Sequence, residues 1–256
     1  MKNAIKIIKR KDRKYVNILG INVTSTPKSG VLAGVEYKIS HNNKFSILTP
    51  NSELVLMAQN NRELFNALNA ADFAIPDTVG LKYATLFLYG RMLDVIPGRK
   101  FFWDLINLAN QKKLKVFLLG GLDNEAELTA SILTKKYKNI KVDYLGGREV
   151  PVELTVEVAD KINKFAPDLL FVAFGNPKQE IWIHKNLAKL KVKGMMAVGG
   201  TFRYVSGLSS LPPRWMEMAG LEWLWRGLTE PYRIKRIINA VIVFPLRVFW
   251  SKVSGD

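Results

Sequence analysis

Asp77 is the first residue whose type and setting suit acid–base chemistry. It ends a short apolar run, Phe73–Ile75, and precedes Thr78-Val79-Gly80. A carboxylate there could take a proton from a substrate hydroxyl as general base. It could equally cap the helix that follows. Thr49 and Asn51 offer a hydroxyl and an amide at the end of another apolar run, Phe45–Leu48, with helix capping again the plain alternative. Gly175-Asn176-Pro177-Lys178-Gln179-Glu180 follows a third run and opens a helical pattern. Asn176 can cap and Pro177 fits the first helical position. Free N–H groups and the helix dipole would favour a phosphate there, within reach of Lys178 and Gln179. An ordinary capped strand-to-helix turn explains the same pattern.

Gly120-Gly121 and Gly199-Gly200 stand at two further run ends, where glycine allows close backbone approach. Neither pair is a dinucleotide fingerprint or a P-loop, and tight turns alone would account for both. Arg226, Arg233 and Arg236 would fall within about 80° of arc on one continuous helix. Gly227 and Pro231 are expected to interrupt it. Clustered guanidinium groups suit a diphosphate; a solvated basic face is the alternative.

These residues need elements to hold them. Short apolar runs alternate with helical patterns along the chain. Strands are expected at Tyr15–Val23, Phe45–Leu48, Phe73–Ile75, Val116–Leu119, Lys141–Leu145, Leu169–Phe174 and Met195–Val198. Helices are expected near 27–40, 52–70, 78–89, 99–112, 124–138, 153–165 and 178–189. That alternation predicts the α/β class: a parallel sheet covered by helices on both faces. Ligands of such sheets bind beyond the carboxyl ends of the strands, where most of the candidates stand. The texture changes at Leu211-Pro212-Pro213. The expected organisation is a basic arm over 1–14, an α/β core over 15–211 and a helical appendage over 212–256.

The 256 residues include 38 Lys+Arg and 22 Asp+Glu, a net charge of +16. An anionic partner follows: nucleic acid, a phosphorylated substrate or anionic lipid. Residues 1–14 carry net +6 and residues 213–256 net +3, so the ends hold +9 of the surplus. That favours surface attachment over a nucleic-acid groove, and no nucleic-acid-binding motif is present. The chain has no Cys and two His, which excludes disulfides, thiol nucleophiles and Cys–zinc sites. No signal peptide is expected. The apolar run 237–250 would span about 21 Å as a helix, short of the roughly 30 Å hydrocarbon core. It is therefore expected to lie on a membrane or pack on the domain. Ile234, Ile237, Ile238 and Val241 share a face beside the basic one, which suits a membrane interface.

Taken together, the motifs resemble the WecG/TagA/CpsF family of bacterial glycosyltransferases. The strongest segments are Pro167–Trp182, Leu221–Arg226 and Glu230–Arg233. Thr49-Pro50-Asn51, Asp77 with Gly80, Phe117–Gly121 and Val198–Phe202 match in order. The resemblance implies a Rossmann-like core and a metal-independent, inverting transferase without a cofactor. It implies transfer of an N-acetylmannosamine-type or related sugar from a UDP-sugar to a polyprenyl-diphosphate-linked sugar. That places the chain in polysaccharide or teichoic acid assembly, peripheral to the cytoplasmic face of the membrane. By the same resemblance Asp77 is the general base, and Thr49, Asn51 and Gln179 line the sugar site. Gly120, Gly121, Gly175, Asn176, Pro177, Lys178, Gly199 and Gly200 hold the nucleotide. Arg226, Arg233 and Arg236, on an appendage closing over the site, contact the acceptor diphosphate. Homo-oligomerisation stays open.

Two positions depart from the family pattern. Val95 stands where an Arg is usual, three residues before Gly98, and Arg91 or Arg99 could replace that charge in space. Arg203 follows Phe202 where an Asp is usual. These departures motivate a rival expectation, an inactive nucleotide- or lipid-diphosphate-binding subunit. Without any Asp-x-Asp pair, charge on a departing UDP must be met by helix N-termini and cationic side chains.

Overall fold

The computed structural model describes residues 14–254, apart from 148–150, 152, 219–220 and 230–233. The side chains of Glu217, Met218, Glu222, Trp223 and Arg226 also lie outside the description.

Six strands form one parallel sheet: β3 (Phe45–Leu48), β4 (Phe73–Ala74), β5 (Lys115–Gly120), β6 (Lys141–Leu145), β7 (Leu169–Ala173) and β8 (Gly194–Ala197). Their order is β4-β3-β8-β7-β5-β6. β3, β5, β7 and β8 are buried almost throughout, because helices cover both faces. Successive residues alternate between two cores. Phe117, Leu119, Leu170 and Val172 point into one, and Val116, Leu118, Leu169 and Phe171 into the other.

The first core takes α2 (Ser52–Gln59), α3 (Arg62–Ala70), α4 (Val79–Tyr89), α7 (Val156–Phe165) and α8 (Lys178–Asn186). The second takes α1 (Lys28–Ser40), α5 (Gly98–Lys112), α6 (Glu125–Lys136) and α9 (Thr201–Val205). Neighbouring strands β5 and β7 therefore feed helices on opposite faces. Their turns diverge and open a crevice at the carboxyl edge.

Two elements differ from the sequence reading. Tyr15–Val23 is an antiparallel hairpin, β1 (Tyr15–Ile18) and β2 (Ile21–Thr24), outside the main sheet. Leu19 and Gly20 both have positive φ, 49° and 81°, and Asn17 Oδ1 accepts from Gly20 N–H. That two-residue turn reverses the chain within what reads as one apolar run. The stretch 52–70 is two helices, because Asn61 Oδ1 accepts from Leu64 N–H and starts α3 afresh.

Beyond β8 come α10 (Arg214–Met218), α11 (Glu222–Thr229), α12 (Ile234–Ile238), a π-helical turn (Asn239–Val243) and α13 (Phe244–Ser254). The last three make one continuous helix of 21 residues, long and apolar enough to cross a membrane by those measures alone. It is longer than the apolar run 237–250, because Lys235, Arg236 and Lys252 extend it at both ends. It also packs on the domain: Phe244 and Val248 are buried in the first core. Two such side chains contribute on the order of 3–6 kcal/mol of burial, enough to hold the helix alongside α2 and α4.

Candidate active site

The sheet order lays the candidate residues in a row along the carboxyl edge. β4 brings Asp77, β3 brings Thr49 and Asn51, β8 brings Gly199 and Gly200, β7 brings Gly175 to Lys178, and β5 brings Gly120 and Gly121. Five strands about 4.8 Å apart make this row roughly 19 Å long.

Asp77 does not cap α4, whose N-cap is Thr78. Its Oδ1 accepts from Gly98 N–H at 2.7 Å, the first residue of α5. Pro97, at the N-cap of α5, has no side chain able to meet that donor, so Asp77 meets it from another strand end. Asp77 N–H also donates to the Pro50 carbonyl at 3.0 Å, which ties the β4 turn to the β3 turn. Gly98 is buried, and a Cβ there would lie 2.8 Å from Thr49 Cγ2 and 3.5 Å from Asp77 Oδ1. The missing side chain of Gly98 is thus what lets Thr49 and Asp77 both approach it this closely. Asn51 caps α2, accepting from Leu54 N–H at 2.9 Å.

Gln179 is buried with its amide fully engaged. Its Nε2 donates to Asn176 Oδ1 and Glu180 Oε1, and its Oε1 accepts from Gly199 N–H at 3.0 Å. It therefore clamps the β7 turn to the β8 turn. Gly175, Gly199, Gly120 and Gly121 all have positive φ, and the Asn176–Pro177 bond is cis. Gly120 must be glycine for a second reason: a Cβ would meet the Phe174 ring at 2.8 Å. Lys178 projects into solvent at the start of α8.

Glu180 lies beneath this clamp, fully buried, with Oε2 lacking a partner. Burial pushes its carboxyl up to about 7, against the pull of the Gln179 amide and its own backbone N–H. Its place in the sequence marks no such role. Gly98 carries a visible signal, Pro97-Gly98 ahead of a helix, but not its contacts with Thr49 and Asp77.

Several cations approach the row. Arg236 Nε donates to both oxygens of Glu53, at 2.7 and 2.9 Å, in the first turn of α2 two residues beyond Asn51. That pair fastens the C-terminal helix beside the β3 turn. Arg226 lies on α11 with its side chain outside the description, and Arg233 lies outside the described residues altogether. Arg99 follows Gly98, and its guanidinium stands 5.7 Å from the centre of the Tyr204 ring on α9. It therefore bridges the Asp77 end of the row to the segment after Gly200. Arg91 follows α4, with Nε and Nη2 buried and without a partner. Val95 is half-buried and Arg203 exposed. Among the described residues, no group of three or more His, Asp and Glu could hold a metal ion. A hollow of about 260 Å³ lined by Glu36, Ile39, Lys112 and Lys193 lies at the opposite, amino edge of the strands.

A parallel α/β sheet with a carboxylate, a hydroxyl and glycine turns along its carboxyl edge is the arrangement of an α/β ligand-binding domain, with its polar groups where ligands of such sheets bind. The glycosyl transferase WecG/TagA/CpsF family model matches residues 16–256, and the chain belongs to that family of glycosyltransferases. It is 33% identical over 194 residues to an N-acetylglucosaminyldiphosphoundecaprenol N-acetyl-beta-D-mannosaminyltransferase of Bacillus subtilis, covering 75% of each chain. It is 28% identical over 245 residues to the protein of the same name in Staphylococcus aureus, covering 95% of each.

Proposed function

We propose that this glycosyltransferase moves an N-acetylmannosamine-type sugar from a UDP-sugar to an N-acetylglucosamine carried on a polyprenyl diphosphate. The names of the two relatives support the acceptor and the sugar. The convergence of Thr49 and Asp77 on Gly98 carries the mechanism. In this reading Asp77 removes the proton from the acceptor hydroxyl as its oxygen attacks the anomeric carbon. UDP leaves from the opposite side in one displacement, so the configuration inverts. Thr49 and Asn51 line the sugar pocket. Gln179 serves it indirectly, by holding the Gly199 and Asn176 turns in register.

The diphosphate of UDP lies along Gly199-Gly200 and Gly175–Lys178, and the nucleoside reaches Gly120-Gly121. Backbone N–H groups and the start of α8 meet the charge that develops on the leaving group. Arg99 adds a cation beside Gly98, where Val95 offers none. Arg226, Arg233 and Arg236 receive the acceptor diphosphate from the helical segment beyond 212, treated as an appendage to the 15–211 core. Glu53 presents Arg236 at the mouth of the row. The enzyme works peripherally at the cytoplasmic face of the membrane, where such a lipid presents its sugar.

The test is UDP release by the full chain from a panel of UDP-sugars, with a short-chain polyprenyl-diphosphate N-acetylglucosamine as acceptor. Asp77→Asn keeps an oxygen for Gly98 N–H and loses the base. It is expected to lower turnover by about 10²-fold or more. Undiminished turnover would remove Asp77 from the mechanism. Tight UDP binding with no turnover on any donor would instead support an inactive binding subunit.

A further inference from the structure

We infer that α4 is itself a membrane-contacting element, forming one anionic-lipid-binding surface with the C-terminal helix. A helix at the surface of a soluble domain turns a polar face to water. α4 does not. Leu81, Ala84 and Thr85 face the core, while the outward positions are Tyr83, 61% exposed, Leu86, 38%, and Phe87, 42%. The spacing 83, 86, 87 is one helical stripe.

This stripe continues onto α13. The Phe87 and Phe249 rings lie 6.0 Å apart, and Phe249 contacts Trp250 at 6.1 Å. Phe249 and Trp250 are 47% and 63% exposed. Lys252 Nζ donates to the Phe87 carbonyl and lies 4.4 Å from the Phe87 ring centre, locking the two helices together. More than half of the exposed large apolar side chains among the described residues lie on the C-terminal helix, on α4 or at Met92. Contiguous exposure on that scale marks an interaction surface.

Charge identifies the occupant. Residues 79–92 and 234–254 contain six Lys or Arg and no Asp or Glu. A second copy of this chain would bring the same cations to the contact and be repelled. An anionic leaflet attracts them and accepts the aromatic and aliphatic side chains between the headgroups.

The placement has a consequence for the site, which rests on the proposed lipid-linked acceptor. Asp77 lies two residues before α4, and Phe87 lies eight residues into it, about 12 Å along the axis. Seating α4 therefore keeps the base within about 20 Å of the membrane-contacting stripe, in the neighbourhood where a membrane-anchored diphosphate presents its sugar.

The experiment uses the full chain and vesicles of phosphatidylglycerol with phosphatidylcholine, or phosphatidylcholine alone. Tyr83→Ser/Leu86→Ser changes only exposed positions of α4 and leaves the C-terminal helix intact. It is expected to weaken binding to the anionic vesicles about tenfold or more. Turnover with a water-soluble short-chain acceptor should be unchanged. Since the chain has no cysteine, Leu86→Cys also takes one environment-sensitive fluorophore. Its emission should rise on the anionic vesicles, while a probe at Ser131→Cys, on α6 across the sheet, should not respond. Wild-type vesicle binding by the double variant, or a silent probe at 86, overturns the inference. So does loss of self-association in place of vesicle binding, which would make the stripe a contact between copies. If the wild type shows no turnover on any donor, the transferase reading fails, while the vesicle result still decides the surface.

Discussion

Gly98→Ala tests how the site is built. A Cβ at Gly98 would stand 2.8 Å from Thr49 Cγ2, whereas carbon atoms rest at about 3.5–4.0 Å. Thr49 must therefore retreat by roughly 0.7–1.2 Å. Asp77 Oδ1, at 3.5 Å, is already at an ordinary contact distance and keeps its bond to Gly98 N–H. Gly98 does not have a positive φ, so alanine suits its backbone and the perturbation is steric. Overpacking of this kind costs about 2 kcal/mol, or roughly 4–8 °C in Tm for a chain of this size. A displacement near 1 Å at the reacting centre costs about 10²-fold in turnover.

The expected result is a folded, modestly less stable enzyme with about 1% of wild-type turnover, read by UDP release and thermal melting. Thr49→Ser removes the colliding methyl and keeps the hydroxyl. Gly98→Ala/Thr49→Ser should then recover most of the Thr49→Ser activity, a strong positive coupling between neighbours. Turnover of Gly98→Ala within twofold of wild type would show that Thr49 does not align the reacting groups. A double variant as poor as Gly98→Ala would show that the clash is not the cause.

Two further outcomes follow from the same edge. The Glu180 carboxyl titrates near 7 when folded, against an ordinary 4.5, because burial disfavours its charged form. It is protonated in both states below 4.5, so it costs nothing there. The cost grows between 4.5 and 7 and levels above 7 at about 3 kcal/mol. Glu180→Gln should therefore match wild-type stability near pH 4.5 and melt higher at pH 8; equal melting at pH 8 would show that the carboxylate is compensated. Turnover should persist in EDTA, since charge on the departing UDP is assigned to N–H groups and cations; loss of turnover restored by a divalent ion would bring a metal into the mechanism.

Much of this site is visible in the sequence as types of residue, and little of it as contacts. Asp77, Thr49 and the glycine pairs stand at the ends of apolar runs, and period and turn chemistry alone put them at strand ends. Asn51 looks like a helix cap and acts as one, and Asn61, inside what reads as a single helix over 52–70, turns out to be another cap. Asp77 looks like one too, yet its carboxylate reaches a donor 21 residues away. No local rule distinguishes those outcomes, because the difference lies in where α5 returns. From its place in a turn, Gln179 reads as facing a ligand. Two of its hydrogen bonds are local, but the third, from Gly199 N–H, depends on β7 and β8 being neighbours, and sheet order is not written in any one segment.

Sheet order also explains why the two ends of the row differ in character. In sequence the turns run β3, β4, β5, β7, β8, but in space β4 and β3 stand at one end and β5 near the other. The β4–β3 end has side chains that can exchange a proton, and the β5 end has glycines whose backbone can lie against a flat group. A donor bound with its sugar at the first end and its nucleoside at the second places the anomeric carbon beside Asp77. It also brings that carbon to the end from which α4 departs. The reverse orientation would put the anomeric carbon against Gly120, Gly121 and the buried Glu125, whose Oε2 already accepts from Leu122 N–H, with Asp123 the exposed carboxylate of that turn. With Asp77 as the proposed base, the first orientation is the one expected, and it predicts that the acceptor arrives from the α4 side.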